Sequence, residues 1–350
     1  SLMHSPLTTP LNVGLIGFGL SGRYFHAPFL EVSPHFNLKK VVTRNSAAVH
    51  EFNPAIEVVS SAEELLADDS IDLVFVCTPN HLHFPNAKAA LEAGKHVVIE
   101  KPFANTEAEA DELIELAAQK NLIITAYQNR RWDADFLTIQ QLFKEGVLGD
   151  IVEYESHFDR YRPEVAQGTW KEIAATGAGN LYNLGPHLID QALVLFGTPK
   201  TVTATIKTIR PQGETDDYFD IRMDYEDKRV ILKASLLVFE NSLRYIINGK
   251  KGSFIKSGLD IQEDTLRKNI LPNTENWGEE PESQWGALYT EAGKTILPTL
   301  AGHYAPFYEN VYQAIVNQAE LEVKPQEARN TTRVMELALE SSRLGKTMAF

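Results

Sequence analysis

The chain has 350 residues, 43% of them hydrophobic, which suits two domains better than one core. Its formal charge is −14, with 47 carboxylates against 33 Lys and Arg, and that surplus argues against a nucleic-acid partner, which needs clustered cations. Cys77 is the only cysteine, so no intrachain disulfide is possible and a reducing, cytoplasmic setting is expected.

The longest apolar runs are strand-sized, short of the roughly 20 residues a membrane helix needs, so no membrane partner is expected. Residues 1–10 read as a polar, disordered leader with Ser1-Leu2 as a cloning scar. From Leu11 onward strand and helix patterns alternate. Apolar runs stand at Val13–Ile16, Leu38–Val42, Glu57–Val59, Leu73–Val76, Val97–Ile99 and Leu122–Thr125. Helical patterns such as Asn86–Ala93 and Glu107–Gln119 separate them. That alternation predicts a doubly wound parallel sheet over residues 11–127.

The first strand runs into Gly17-Phe18-Gly19-Leu20-Ser21-Gly22. In this spacing the first glycine permits the turn, the second lets backbone approach a pyrophosphate, and the third lets helix pack on strand. The strand–turn–helix context makes it a dinucleotide site formed by Gly17, Phe18, Gly19, Ser21 and Gly22. Arg23 puts a cation in the helix's first turn, against the helix dipole; a bound anion would resolve that conflict, and a solvated arginine accounts for it equally well. The second strand ends Thr43-Arg44-Asn45-Ser46, without the carboxylate that would accept the adenosine ribose hydroxyls of NAD. Arg44 can pair with a 2′-phosphate and Thr43 and Ser46 can donate to it, so NADP is expected in preference to NAD.

After Asp133 the pattern changes. A helix is predicted over Phe136–Lys144, an extended stretch over Ile151–Phe158, and a second helix over Leu184–Leu195. Strands follow between Thr201 and Lys256; Leu236–Phe239 reads as a strand apolar on both faces that needs cover, from a second subunit among other sources. Asn273–Pro281 reads as a loop, and two helices close the chain over Phe307–Asn317 and Gln326–Arg343. Residues 128–350 therefore form a second α/β domain with a large, mostly antiparallel sheet.

Thr78-Pro79-Asn80-x-x-His83, Ala89-Ala90-Leu91-x-Ala93-Gly94-Lys95-His96-Val97 and Glu100-Lys101-Pro102 follow one another in order. With them the chain resembles the Gfo/Idh/MocA oxidoreductases from Leu11 to its end. Asn129-Arg130-Arg131-Trp132 and Phe158-Asp159-Arg160-Tyr161-Arg162-Pro163 resemble an NADP-dependent scyllo-inositol dehydrogenase-like branch. The resemblance implies that Lys101 is the lysine holding the reacting oxygen and that His187 exchanges its proton. It places Thr78, Pro79 and Asn80 in the turn that approaches the cofactor, with His83, Glu100 and Asn129 beside them, and it leads one to expect a cis Lys101–Pro102 bond.

Hydride transfer needs a hydroxyl carbon held near the nicotinamide and a base for the hydroxyl proton. Histidine titrates near neutral pH, and an ammonium at the same oxygen stabilises the developing alkoxide. The family has an aspartate four residues before the histidine; here that position is Asn183, which can hold a hydroxyl but carries no charge. Asp190 is expected to be structural. Tyr161, Arg162 and Trp170 either line the substrate pocket with Lys101, Asn183 and His187 or pack the domain joint. Arg130 or Arg131 is equally readable as an interdomain ion pair. His157 and Asp159, alternating on one strand, are weighed as cleft residues. His81-x-His83 lacks a third ligand at useful spacing, so no metal is expected. The activity implied is an NADP-dependent dehydrogenase of a cyclic polyol or sugar, working as a homodimer or homotetramer. The other readings are a non-catalytic NADP-binding sensor and a glycosidase using nicotinamide as a redox relay.

Overall fold

The computed structural model describes residues 9–165 and 179–350; the leader residues 1–8 and Trp170 lie outside the described residues. Six strands form the first sheet: β1 Leu11–Ile16, β2 Phe36–Val42, β3 Glu57–Val59, β4 Leu73–Val76, β5 His96–Glu100 and β6 Ile124–Tyr127. All pair in parallel in the order β3-β2-β1-β4-β5-β6. β4 and β6 are buried at every residue, as continuous apolar runs must be when helices cover both faces of a sheet. The strand order reverses between β1 and β4, so their carboxyl ends open a crevice beside the glycine turn.

The second sheet holds nine strands: β7 Ile151–His157, β8 Thr201–Lys207, β9 Tyr218–Asp224, β10 Arg229–Ser235, β11 Leu243–Gly249, β12 Gly252–Ser257, β13 Gly286–Thr290, β14 Gly293–Leu297 and β15 Met348–Ala349. Their order is β14-β13-β12-β11-β7-β10-β9-β8-β15, and only β7 and β10 pair in parallel. Helices Asn180–Phe196 and Pro325–Leu344 cover one face, where Tyr154, Phe219, Ile221, Val230, Leu232 and Phe254 are buried with Leu188, Ile189 and Met335. On the other face Ile231, Glu155, Ile246, Ile255, Ala287 and Ile296 stand in register across six strands. Ile255 and Ile296 are 39% and 48% exposed there.

Three expectations are corrected. Leu236–Phe239 is not a strand: its pairing is an isolated Tyr161–Leu237 bridge, with the Leu236 N–H donating to the Asp217 carbonyl, and Phe239 is 83% exposed. The helix expected to start at Leu184 starts at Asn180. Gly179, at φ +101°, turns the chain there, and Asp216 accepts the Asn180 and Leu181 N–H groups at 2.9 and 2.7 Å. The hairpin β13–β14 lies beyond Lys256, where the strands were expected to end.

Candidate active site

The glycine turn is tight because its first and third glycines meet backbone. A Cβ on Gly17 (φ +108°) would stand 2.6 Å from the Cys77 carbonyl oxygen, and one on Gly22 would stand 2.6 Å from that of Gly17. Gly19 faces open space, with nothing within 4 Å of a Cβ. Beside this cradle the buried Thr78 Oγ1 has no partner among the described residues. A backbone cradle opening past Gly19 and an orphaned hydroxyl are the fit expected for a dinucleotide. Ser21 faces the Cys77 thiol, whose pKa burial raises well above its ordinary value, so this cysteine is an inert packing group. The Phe18 ring packs edge-on against Phe52 in the core, leaving only its backbone in the turn. Arg23 needs no bound anion: its guanidinium lies over Tyr24 and Phe52 and donates to Asn269 Oδ1 at 3.0 Å. At the end of β2, Thr43 Oγ1 accepts the Asn45 N–H, and Arg44 and Ser46 are exposed.

The β4 and β5 ends are bolted together. His83 Nδ1 lies 2.8 Å from the Pro102 carbonyl and Nε2 lies 2.9 Å from that of Thr78. His83 therefore braces the backbone at both strand ends, and Asn80 and Asn129 are buried. The Lys101–Pro102 peptide is cis. Glu100 pairs with His26 Nε2 at 2.5 Å, and His26 Nδ1 meets the Tyr308 hydroxyl at 2.9 Å. The segment that carries Lys101 is thus anchored from both its neighbours.

Lys101 Nζ donates to the Asn183 carbonyl and lies 3.3 Å from Asn183 Oδ1. One turn further along that helix, on the same side, stands His187. It is buried, its Nδ1 has no partner among the described residues, and its ring meets Phe158 edge-on. Burial and the positive charges of Lys101, Arg130, Arg244 and Arg160 hold its pKa well below the ordinary histidine value of 6.5. A neutral imidazole one helical turn from the residue that holds the Lys101 ammonium can accept a proton while the ammonium holds the oxygen that gives it up.

Other candidates are placed elsewhere. Arg131 forms a bidentate ion pair with Asp190 (2.9 and 2.8 Å) that ties the end of β6 to the His187 helix, so Asp190 acts by anchoring. Arg130 pairs with Asp133 and Glu263. His157 is clamped between Glu155 (2.5 Å) and Asp159 (2.8 Å) on the open face of the second sheet. Tyr161 packs on Phe239, rings 5.1 Å apart, and Arg162 is exposed. No group of three or more His, Cys, Asp or Glu among the described residues could hold a metal. Nor is any helix among them long and apolar enough to cross a membrane. Arg160 and Arg244, whose charges reach His187, were not singled out as site residues; the parity of β7 signals the first, and nothing local signals the second.

Residues 11–128 match the oxidoreductase family's NAD-binding Rossmann fold, and residues 140–350 match its C-terminal α/β domain. The chain belongs to the Gfo/Idh/MocA oxidoreductase family. Among relatives, a scyllo-inositol 2-dehydrogenase (NADP(+)) of Bacillus subtilis is 42% identical over 97% of this chain and 95% of its own. An oxidoreductase of Escherichia coli is 40% identical over 97% and 98%. A B. subtilis oxidoreductase structure superposes with a TM-score of 0.94 at 41% identity, covering 98% of this chain and 99% of that one. As a Gfo/Idh/MocA protein the chain is an oxidoreductase with a nucleotide-binding Rossmann domain.

Proposed function

We propose that the protein is an NADP-dependent dehydrogenase of a cyclic polyol or sugar, converting CH–OH and NADP+ to C=O, NADPH and a proton. The observation that carries this reading is the meeting of Lys101 with Asn183, one helical turn from a buried, neutral His187, at the carboxyl end of β5. The bound nicotinamide supplies the hydride acceptor. Gly17–Gly22 and Thr78–Asn80 hold the dinucleotide, and Arg44 with Thr43 and Ser46 holds its 2′-phosphate. Lys101 orients the substrate hydroxyl and stabilises the alkoxide; Asn183 holds Lys101 and offers Oδ1 and Nδ2 to a neighbouring hydroxyl; His187 takes the proton. The likeness to an inositol dehydrogenase that uses NADP supports the substrate class and the cofactor.

The test is cofactor reduction across inositols, aldoses and hydroxy acids with NADP+ and NAD+. Turnover of a polyol or sugar with NADP+ favoured is the expected outcome. Arg44→Ala should reduce that preference by about tenfold, the worth of one charge-assisted contact. Tighter binding of NAD+ than NADP+ would overturn the cofactor assignment.

A further inference from the structure

Phe158, just past β7, collects charge around its ring. The Arg244 guanidinium lies 4.1 Å from its centroid and that of Arg130 5.2 Å, while the His187 ring meets it edge-on at 6.4 Å. Both guanidiniums have partners: Arg130 has Asp133 and Glu263 at 3.0 and 3.2 Å, and Arg244 has Ser156 and Gln191, with Asp135 at 3.8 Å. A third guanidinium belongs to Arg160. Its N–H bonds the Ser235 carbonyl at 2.9 Å and its carbonyl accepts the Val238 N–H at 3.0 Å, which keeps this stretch extended. Side chains of an extended chain alternate, so Arg160 leaves on the side of Phe158, toward His187, while His157, Asp159 and Tyr161 leave on the other.

Arg160 is half-buried, and among the described residues its guanidinium makes no hydrogen bond and no ion pair. Arg162, Arg130 and Arg267 act on it with like charge, with Glu263 opposing them. Withdrawing a cation from water beside other cations is unfavourable unless an anion completes the site. We propose that Arg160 is an anion subsite and that the substrate is a polyol or sugar carrying a carboxylate or phosphate group, rather than a neutral inositol. The inference rests on the dehydrogenase reading above. The guanidinium fork takes two oxygens of such a group, which fixes the sugar ring as well as attracting it.

The test is kcat/KM of the holoenzyme with NADP+ for glucose, glucuronate, glucose 6-phosphate and myo-inositol. One anionic sugar should exceed its neutral counterpart by about tenfold to a hundredfold, the range for a charge-assisted bond, and added salt should erode the ratio. The glucuronate and phosphate arms tell the two anions apart. Arg160→Gln should collapse the ratio, and Arg160→Lys should restore part of it. A wild-type ratio near one, or one favouring the neutral sugar, overturns the subsite while leaving the dehydrogenase standing. A weaker NADPH dissociation constant in Arg160→Gln with the ratio unchanged also overturns it, assigning Arg160 to the cofactor. If no sugar is turned over, the dehydrogenase reading fails and binding decides. A rise in melting temperature of the NADPH complex with glucuronate or glucose 6-phosphate, lost in Arg160→Gln, then supports the subsite; no rise overturns it.

Discussion

Asn183 alters what His187 and Lys101 can do together. A carboxylate at that position would oppose the cations around the imidazole and raise its pKa; the neutral amide leaves burial and four positive charges to lower it. In the proposed reaction the base is the neutral form. Activity in the alcohol-oxidising direction should therefore persist as pH falls through 6.5 and be lost only below it, as His187 protonates. Asn183→Asp should move that acid limb upward, by about one pH unit for one new charge at short range; kcat/KM profiles of the two proteins check it. The same depression acts on stability. The unfolded chain takes up a proton near pH 6.5 that folded His187 refuses, so stability should fall as pH drops below 6.5. His187→Gln should flatten that slope in urea melts.

Much of this site was legible residue by residue. Lys101 and His187 were found through ordered motifs, because a lysine at a strand end and a histidine in a helix gain meaning only from each other. Tyr161 shows the limit: it was weighed for the substrate pocket, yet it shares the parity of His157 and Asp159 and packs on Phe239. Arg244 comes from a strand far along the chain, and no local pattern foretells that its guanidinium will lie on Phe158.

The His187 helix shows what one element owes to distant partners. Its sequence signal starts at Leu184, and Gly185-Pro186 just inside it conceals how far the helix extends upstream. Its first turn exists because Asp216, 35 residues away from Leu181, caps it. Asp216→Ala should cost about 1 kcal/mol, the usual worth of a cap, and lower activity by loosening Asn183; a urea melt beside steady-state kinetics would measure both. Arg131–Asp190 anchors the same helix deeper. Both side chains are buried, so Asp190→Ala should cost about 3 kcal/mol, leaving the Arg131 guanidinium, among the described residues, only the Glu322 carbonyl and the more distant Glu327. The parallel sheet was the most legible part, because buried strands write continuous apolar runs, and each predicted run there lies in or overlaps a strand. The β13–β14 hairpin was not, because Gly286–Leu297 alternates too weakly to stand out from the loop before it.

At the scale of the molecule, one sheet carries the glycine turn and Lys101, and the helix covering the other carries Asn183 and His187. Among the described residues the open face of the second sheet has no such cover. Its row from Ile231 to Ile296, apolar but for Glu155, is a surface that a second copy of the chain would bury. An oligomer formed through this face should therefore dissociate when Ile255 and Ile296 are both changed to Glu, read by sedimentation.

The central claim is that Lys101 reaches across from β5 to the His187 helix to hold the reacting oxygen. Turnover by Lys101→Ala, measured beside its NADPH dissociation constant, tests this most directly. A loss of about a hundredfold or more in kcat with the dissociation constant within a few-fold of wild type is the predicted result. A kcat within about threefold of wild type would contradict it.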